Sequence, residues 1–335
     1  MKNNKLFSKL NLSNITVVAA VVIFVIFYVA GSLLYKGFFS AQVFVNLLID
    51  NAHLFIVSYG ATLVLLTGGI DLSIGAVFAF GSMVSAFLLQ KGMQIPVVFG
   101  IVLLTSVVFG ALNGYLITYR SFPPFIATLA SQYLARGACY ILSPDTIAVS
   151  DKALIKISLT KIRLFGQKGP FITYGVIVAF VLFVVFHILT KHTKFGRSVY
   201  ALGGNEQSAS LMGLPTKRIK FSVYTICGLT SGISSVVFTI YMLSAFPLFG
   251  ETLHLDAVSS AVIGGTLTTG GVGVMSGTVF GVLTTGVIQT LITFQGTLSS
   301  WWTRIITALL LLVFIMLQRY VVYRRERTRV SKEVE

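Results

Sequence analysis

Two stretches carry polar residues at spacings that could do work in an otherwise apolar chain. The first is LLTGGIDLSIG at 65–75. Gly68 and Gly69 let one helix stop, Asp71 can cap the next through its side chain, and Ser73 falls in that helix's first turn. The stretch is either a tight turn between helices at the cytosolic face or a broken helix lining a solute path. In a path, polar backbone is exposed only where water reaches it. An ionisable residue beside such a break marks a candidate functional site. Gly68, Gly69, Asp71 and Ser73, with Asn113 from a later run, are the candidates for a translocation path.

The second stretch is FGRSVYALGGNEQSASLMGLPTKR at 195–218, a polar island between long apolar runs. Gly203-Gly204 is expected to break the backbone, and Asn205 then stands at an N-cap position. Glu206 follows in the first turn, where a carboxylate suits the positive end of the helix dipole. Gly213 is placed to stop the helix, and Pro215 cannot continue it. The expectation is one short helix over about 205–212, edged by Lys191, Lys194, Arg197, Lys217, Arg218 and Lys220. A membrane protein that presents such a helix to the cytosol offers something to be held. Gly203, Gly204, Asn205, Glu206, Ala209, Met212 and Gly213 are its candidate contact residues.

Other chemistries lack their residues. No GxxxxGK[ST] occurs, so the chain by itself cannot cradle nucleotide phosphates in a P-loop. No HExxH, paired carboxylates or Ser/His arrangement points to a hydrolase within the membrane. The chain reads as no enzyme and needs no cofactor or metal. Cys139 and Cys227 lie in separate apolar segments with no metal-ligand spacing.

The elements that must position these residues are membrane helices. The sequence is 55% apolar and 10% charged, with a mean hydropathy of +0.89. Several runs reach the roughly 20 residues that cross a bilayer core. The fold class is all-α, a polytopic helical membrane protein forming a single transmembrane domain over 1–335. The net charge of +15 lies mostly between or beyond the apolar runs. That pattern speaks for orientation in a lipid membrane and not for nucleic acid.

In order, Lys2, Lys5 and Lys9 precede a retained first span at about 15–34, and 41–50 is an interfacial lead-in. Further spans are expected at about 52–66, 72–90, 95–118, 124–142, 170–190, 219–243, 256–267, 272–294 and 301–318. That is about ten crossings with both termini cytosolic. The loop at about 191–218 is then cytosolic and that at about 143–169 lies outside. Sixteen of the 25 basic residues fall inside and seven outside, with Arg136 and Arg304 within spans. The outer loop is unusually basic for its side, with Lys152, Lys156, Lys161, Arg163 and Lys168. Its segment IKISLTKIRL alternates apolar and polar residues, which predicts a strand or small hairpin. His254 and Asp256 start the short eighth run, where Asp can cap. Phe246, Phe249 and Trp301-Trp302 read as an aromatic belt or as a surface on which a sugar could stack. There is also an internal echo: TGGIDLSIGAVFAF at 67–80 and TGGVGVMSGTVFGV at 269–282 share six identities in 14 positions.

Several stretches together resemble the permeases of bacterial ribose-type sugar ABC importers. They are TGGIDLSIGAV at 67–77, GALNGYLITYRSFPPFIATLA at 110–130, RGACYILS at 136–143, FGRSVYALGGNEQSASLMGL at 195–214 and LDAVSSAVIGGTLTTGGVGVMSGT at 255–278. GTLSSWWTRI at 297–306 and SAVIGGTLTTGGVG are most similar to galactofuranose importer permeases within that family. The family commonly has Glu before the Leu-Asp of its eighth span, and here that residue is His254. The resemblance implies the ABC importer permease fold in a bacterial inner membrane. It also implies a second permease chain, identical or related, a cytosolic ABC ATPase holding the 203–213 helix, and an external solute-binding protein that delivers the sugar. Two alternatives stay open. One is an ion-coupled secondary transporter with Asp71 and Arg136 in a relay, and the other is the same permease carrying a non-nutrient furanosyl compound.

Overall fold

A computed structural model describes residues 12–333 apart from 165, 167, 168 and 300. Lys2, Lys5, Lys9 and Lys168 therefore lie outside the described residues. The chain is helical almost throughout. Helix α1 (Leu12–Leu34) is followed by α2 (Ala41–Asp50) and α3 (Ala52–Leu66), which meet at a bend of 55°. Next come α4 (Ile74–Gln90), α5 (Ile95–Tyr119) and α6 (Pro124–Leu142). Strand β1 (Ile147–Ala148), helix α7 (Lys152–Leu159) and strands β2 (Ile162–Arg163) and β3 (Phe171–Ile172) make up the 143–173 excursion. Helices α8 (Tyr174–His192), α9 (Lys194–Gly204), α10 (Glu206–Leu211) and α11 (Thr216–Met242) lead to β4 (Ser244–Ala245). The chain closes with α12 (Leu253–Ile263), α13 (Met275–Gln295) and α14 (Trp301–Glu333).

Each expected apolar run is helical, but the expected ten crossings are not all of full length. Among the described residues, α1, α5, α8, α11 and α13 are long and apolar enough to cross a membrane, and the bent α2/α3 pair makes a sixth. Helix α12, with 11 residues, is only about 16 Å long, roughly half of a ~30 Å bilayer core. It stops at Gly264, and Gly265 takes φ +94° while the Thr266 amide reaches back to the Ala261 carbonyl. Helix α3 stops in the same way. Gly68 takes φ +76°, its amide donates to Leu65 O at 2.8 Å, and the Gly69 amide donates to Val64 O at 3.2 Å. These are Schellman stops, which satisfy the last helical carbonyls without water.

Helices α5 and α11 form the most extensive pair, and small residues that face each other at one-turn spacing let them approach closely. A Cβ built on Gly110 would lie 2.9 Å from the Gly228 Cα, and one on Gly114 would lie 2.8 Å from the Phe221 carbonyl oxygen. Lipid gives helices no hydrophobic reason to associate, so close backbone approach has to supply the attraction. The main core joins α3, α8, α11 and α13 around the buried Tyr59, Phe55, Val223 and Val287.

The loop between α6 and α8 corrects one expectation. Residues 155–159 of the alternating segment belong to helix α7 instead of a strand. Asp151 is its N-cap, with its carboxylate accepting from the Ala153 and Leu154 amides, both at 2.9 Å. The fully buried Leu154 then pins α7 to the bundle. A capped, anchored turn outweighs two-residue alternation, which leaves a hairpin only where Ile162 pairs with Ile172. Strand β1 pairs with β4 across the chain, Ile147 opposite Ala245.

Candidate functional site

The polar island folds into two helices, not one. Thr193 caps α9 by accepting from the Gly196 amide at 3.1 Å. Gly203 and Gly204 are the last turn of α9 and do not break the backbone. The break comes at Asn205, which is extended (φ −162°). As expected, its side chain caps α10, accepting from the Ser208 amide at 2.7 Å. Glu206 in the first turn pairs with Lys220 of α11 at 2.7 Å. The helix ends at Met212 and Gly213 (φ +80°), with Leu214 N donating to Ala209 O at 3.1 Å, another Schellman stop. Ala209 is buried against the bundle, whereas Leu211 and Met212 are 84% and 70% exposed at the tip.

The glycines of α9 serve close approach instead. A Cβ on Gly203 would collide with the Leu66 carbonyl oxygen and lie 2.6 Å from the Gly271 nitrogen. Leu66 ends α3 and Gly271 belongs to the TGG at 269–271. The Gly271 amide donates to Leu66 O at 2.9 Å, and a Cβ on Gly270 would lie 2.7 Å from the Gly68 nitrogen. The two echoing TGG turns therefore lie against each other, and the end of α9 closes the junction. Tyr200, one turn back on α9, donates its hydroxyl to Gly273 O at 2.8 Å. Burial raises the pKa of that hydroxyl, so it stays protonated and remains a donor.

The path candidates gather in one buried polar chain. Asp71 Oδ1 accepts from the Ser73 amide at 2.9 Å and from the Ser73 hydroxyl at 2.6 Å. Asn113 Nδ2 of α5 donates to Ser73 Oγ at 2.9 Å, and Ser131 of α6 donates to Asn113 Oδ1. Asp71 is not itself the cap of α4. The N-cap position is Ser73, and the carboxylate holds it from two residues upstream. Asp71, Ser73, Asn113 and Ser131 are each at most 3% exposed, so they stitch α4, α5 and α6 together and line no open space. Gly68 and Gly69 lie in the α3 turn, with a Cβ on Gly68 3.2 Å from Thr269 O. Arg136 does not join Asp71. It donates to the carbonyls of Pro247 and Phe249, the latter at 3.1 Å.

That arginine fixes the floor of a cavity which sequence reasoning missed. Its volume is about 990 Å³, and it opens at the end of the bundle that carries α2, the start of α14 and the segment after β4. Asp50, Glu251, Asp256, Gln289 and Arg304 are polar residues in its wall. Phe238, Phe249 and His53 form its aromatic part, with Phe249 edge-on to Phe238 at 5.3 Å and His53 5.0 Å from Phe238. A usable signal was present. Thr285, Gln289 and Thr293 recur every four residues along α13, a polar stripe on one face of a membrane helix. The aromatic expectation was partly placed here as well, since Phe249 lines the cavity. Trp301 is 64% exposed and packs under the Arg304 guanidinium at 4.5 Å.

Comparison with known proteins places this architecture. The chain is 39% identical to the inner membrane ABC transporter permease protein YjfF of Escherichia coli, over 91% of this chain and 92% of that one. It is 38% identical to the fructose import permease protein FruG of Bifidobacterium longum, over 93% of each. To the ribose import permease protein RbsC of Bacillus subtilis it is 33% identical, over 86% of this chain and 88% of that one. No solved structure matches it. Residues 43–315, from α2 into α14, match a family described as the branched-chain amino acid transport system / permease component. The chain belongs to that family of polytopic membrane permeases.

Proposed function

We propose that the chain is the membrane subunit of an ABC importer for a monosaccharide, in a bacterial cytoplasmic membrane with both termini in the cytosol. A cytosolic ATPase grips α9 and α10, an external binding protein delivers the sugar, and two permease chains assemble around the path. Relatives named for fructose and ribose import support the sugar. The resemblance of GTLSSWWTRI at 297–306 favours galactofuranose among them.

One observation carries the coupling half of this reading: α10 presents Leu211 and Met212 to solvent while Gly203 behind them is wedged between the α3 and pre-α13 turns. A push on an exposed apolar tip reaches two helix ends without crossing a flexible side chain. Such a push moves the permease only if ATP binding to the partner favours one of its states over the other. The ion-coupled alternative loses its proposed relay, because Arg136 and Asp71 make separate sets of contacts.

The test is reconstitution in vesicles with the ATPase and binding protein of its importer. Uptake of galactofuranose, ribose or fructose should require ATP and both partners and should persist with a protonophore present. Accumulation without ATP, collapsing with the protonophore, would overturn the proposal.

A further inference from the structure

The cavity above the Phe238–Phe249 pair is absorbed by none of the foregoing. It lies within one chain, about 990 Å³ in volume, at the upper end of the roughly 300–1,000 Å³ usual for small-molecule sites. Its wall combines two kinds of surface. One is hydrogen-bonding groups on helices: Gln289 on α13, Asp50 on α2 and Asp256 on α12. The Gln289 side-chain amide makes no hydrogen bond among the described residues. Asp50 is held by the Tyr241 hydroxyl at 2.9 Å through Oδ1. The other is the rings of Phe249, Phe238 and His53, backed by the buried Phe78, whose ring lies 5.0 Å from Phe238.

The floor is braced. Arg136 holds the Pro247 and Phe249 carbonyls, and a Cβ on Gly250 would lie 2.7 Å from the Phe78 ring. Below it, a Cβ on Gly75 would strike the Gly250 carbonyl, so the start of α4 closes the cavity from beneath. Asp71 and Ser73 immediately precede that helix start.

Amides and carboxylates in one cavity with aromatic rings suit a polyol, which offers hydroxyl edges and apolar C–H faces. The charge balance narrows the class. Asp50, Glu251 and Asp256 outnumber the guanidiniums of Arg304 in the wall and Arg136 at the floor, so the field in the cavity is unfavourable to anions. We propose that this cavity is a resident binding site for a neutral monosaccharide inside a single permease chain, with Gln289 and Asp50 as hydroxyl partners and Phe249 as the stacking face. The inference rests on the sugar-import reading and adds to it a station within each protomer, one that discriminates against sugar acids and sugar phosphates.

The experiment is equilibrium binding to the full chain in lipid nanodiscs, alone and assembled with its ATPase. The probes are galactose, ribose, fructose and arabinose, with galacturonate and galactose 6-phosphate as the anionic set. At least one neutral sugar should bind saturably, Gln289→Ala and Asp50→Asn should each weaken it about tenfold or more, and neither anion should compete. Both side chains are exposed in the cavity, and unchanged membrane levels will show that the variants fold. No saturable binding by the wild-type chain, or binding unaffected by either variant, would refute the site. So would a result in which Gln289→Ala impairs docking of the loaded binding protein but leaves sugar binding intact, because the cavity would then be receiving a protein loop. ATP-dependent uptake by the complete wild-type importer tests the parent reading separately. A chain that imports sugar but binds none in nanodiscs removes only this inference.

Discussion

The carbonyl oxygen of Leu66 accepts a hydrogen bond from the amide of Gly271 at 2.9 Å, tying the end of α3 by backbone to the segment that leads into α13. These residues stand 205 positions apart in sequence, and each sits within three residues of a TGG triplet. Gly203, at the end of α9, rests on the same carbonyl. Backbone-to-backbone packing has no rotamers with which to absorb a displacement. A shift of α9 therefore has to move both turns or open a gap.

Gly203→Ala and Gly204→Ala separate packing from conformational freedom. A methyl on Gly203 meets the Leu66 carbonyl oxygen and the Gly271 nitrogen, whereas one on Gly204 meets nothing within 4 Å. Gly203→Ala should reach the membrane at normal levels yet reduce ATP-driven uptake about tenfold or more, and Gly204→Ala should cost little. Uptake and membrane abundance measured in parallel decide it. Equal effects from the two variants would show that the junction does not carry the motion.

Tyr200→Phe removes one hydroxyl and almost no volume. The bond to Gly273 O is then lost, and a buried carbonyl is left without that donor. The expected cost is about 0.5–1.5 kcal/mol of stability. The informative readout is the ratio of sugar transported to ATP hydrolysed. It should fall, because the end of α9 then holds the pre-α13 segment only by backbone packing of Gly203 and Gly204.

How far the sequence exposed this arrangement depends on the kind of signal. The caps of α10 were legible because Asn205, Glu206 and Gly213 act on their own neighbours. Helix α9 was not, since KFGRSVYALGG carries three glycines, and glycine reads as a breaker unless the backbone that presses on it is known. Asp71, Ser73 and Asn113 stand out by residue type, but Ser131, which donates to Asn113 from α6, does not, because that contact joins two helices distant from the Asp71 turn in sequence. The cavity is hard to read from sequence because its polar residues are spread over several helices and the segment before α12, and even the stripe on α13 leaves that run apolar enough to cross a membrane.

Substitutions at Asp71 test whether it transfers protons or organises structure. Asp71→Asn keeps an oxygen that can accept from the Ser73 amide and hydroxyl, so uptake should persist at more than about a third of the wild-type rate. Asp71→Leu leaves those two buried donors unsatisfied, at about 1–3 kcal/mol each, and should lower the melting temperature of the purified chain. Loss of uptake in Asp71→Asn with an unchanged melting temperature would instead argue for a protonation step.

The Glu206–Lys220 pair orients α10 against α11, and its charge can be exchanged. Glu206 is 56% exposed, so the pair is worth only about 0.2–1 kcal/mol, and Glu206→Lys should barely change thermal stability. It places two cations where the lever meets α11 and also removes the acid from the positive end of α10. ATP-driven uptake should therefore fall severely while the chain still inserts. Lys220→Glu added to Glu206→Lys restores the attraction but not the dipole match. Recovery to within about threefold of wild type would assign the defect to the angle of α10, since only the pair is repaired. Failure to recover, with binding of the ATPase also lost, would place the defect in the surface that Glu206 shows to its partner and would remove the orienting role of the pair.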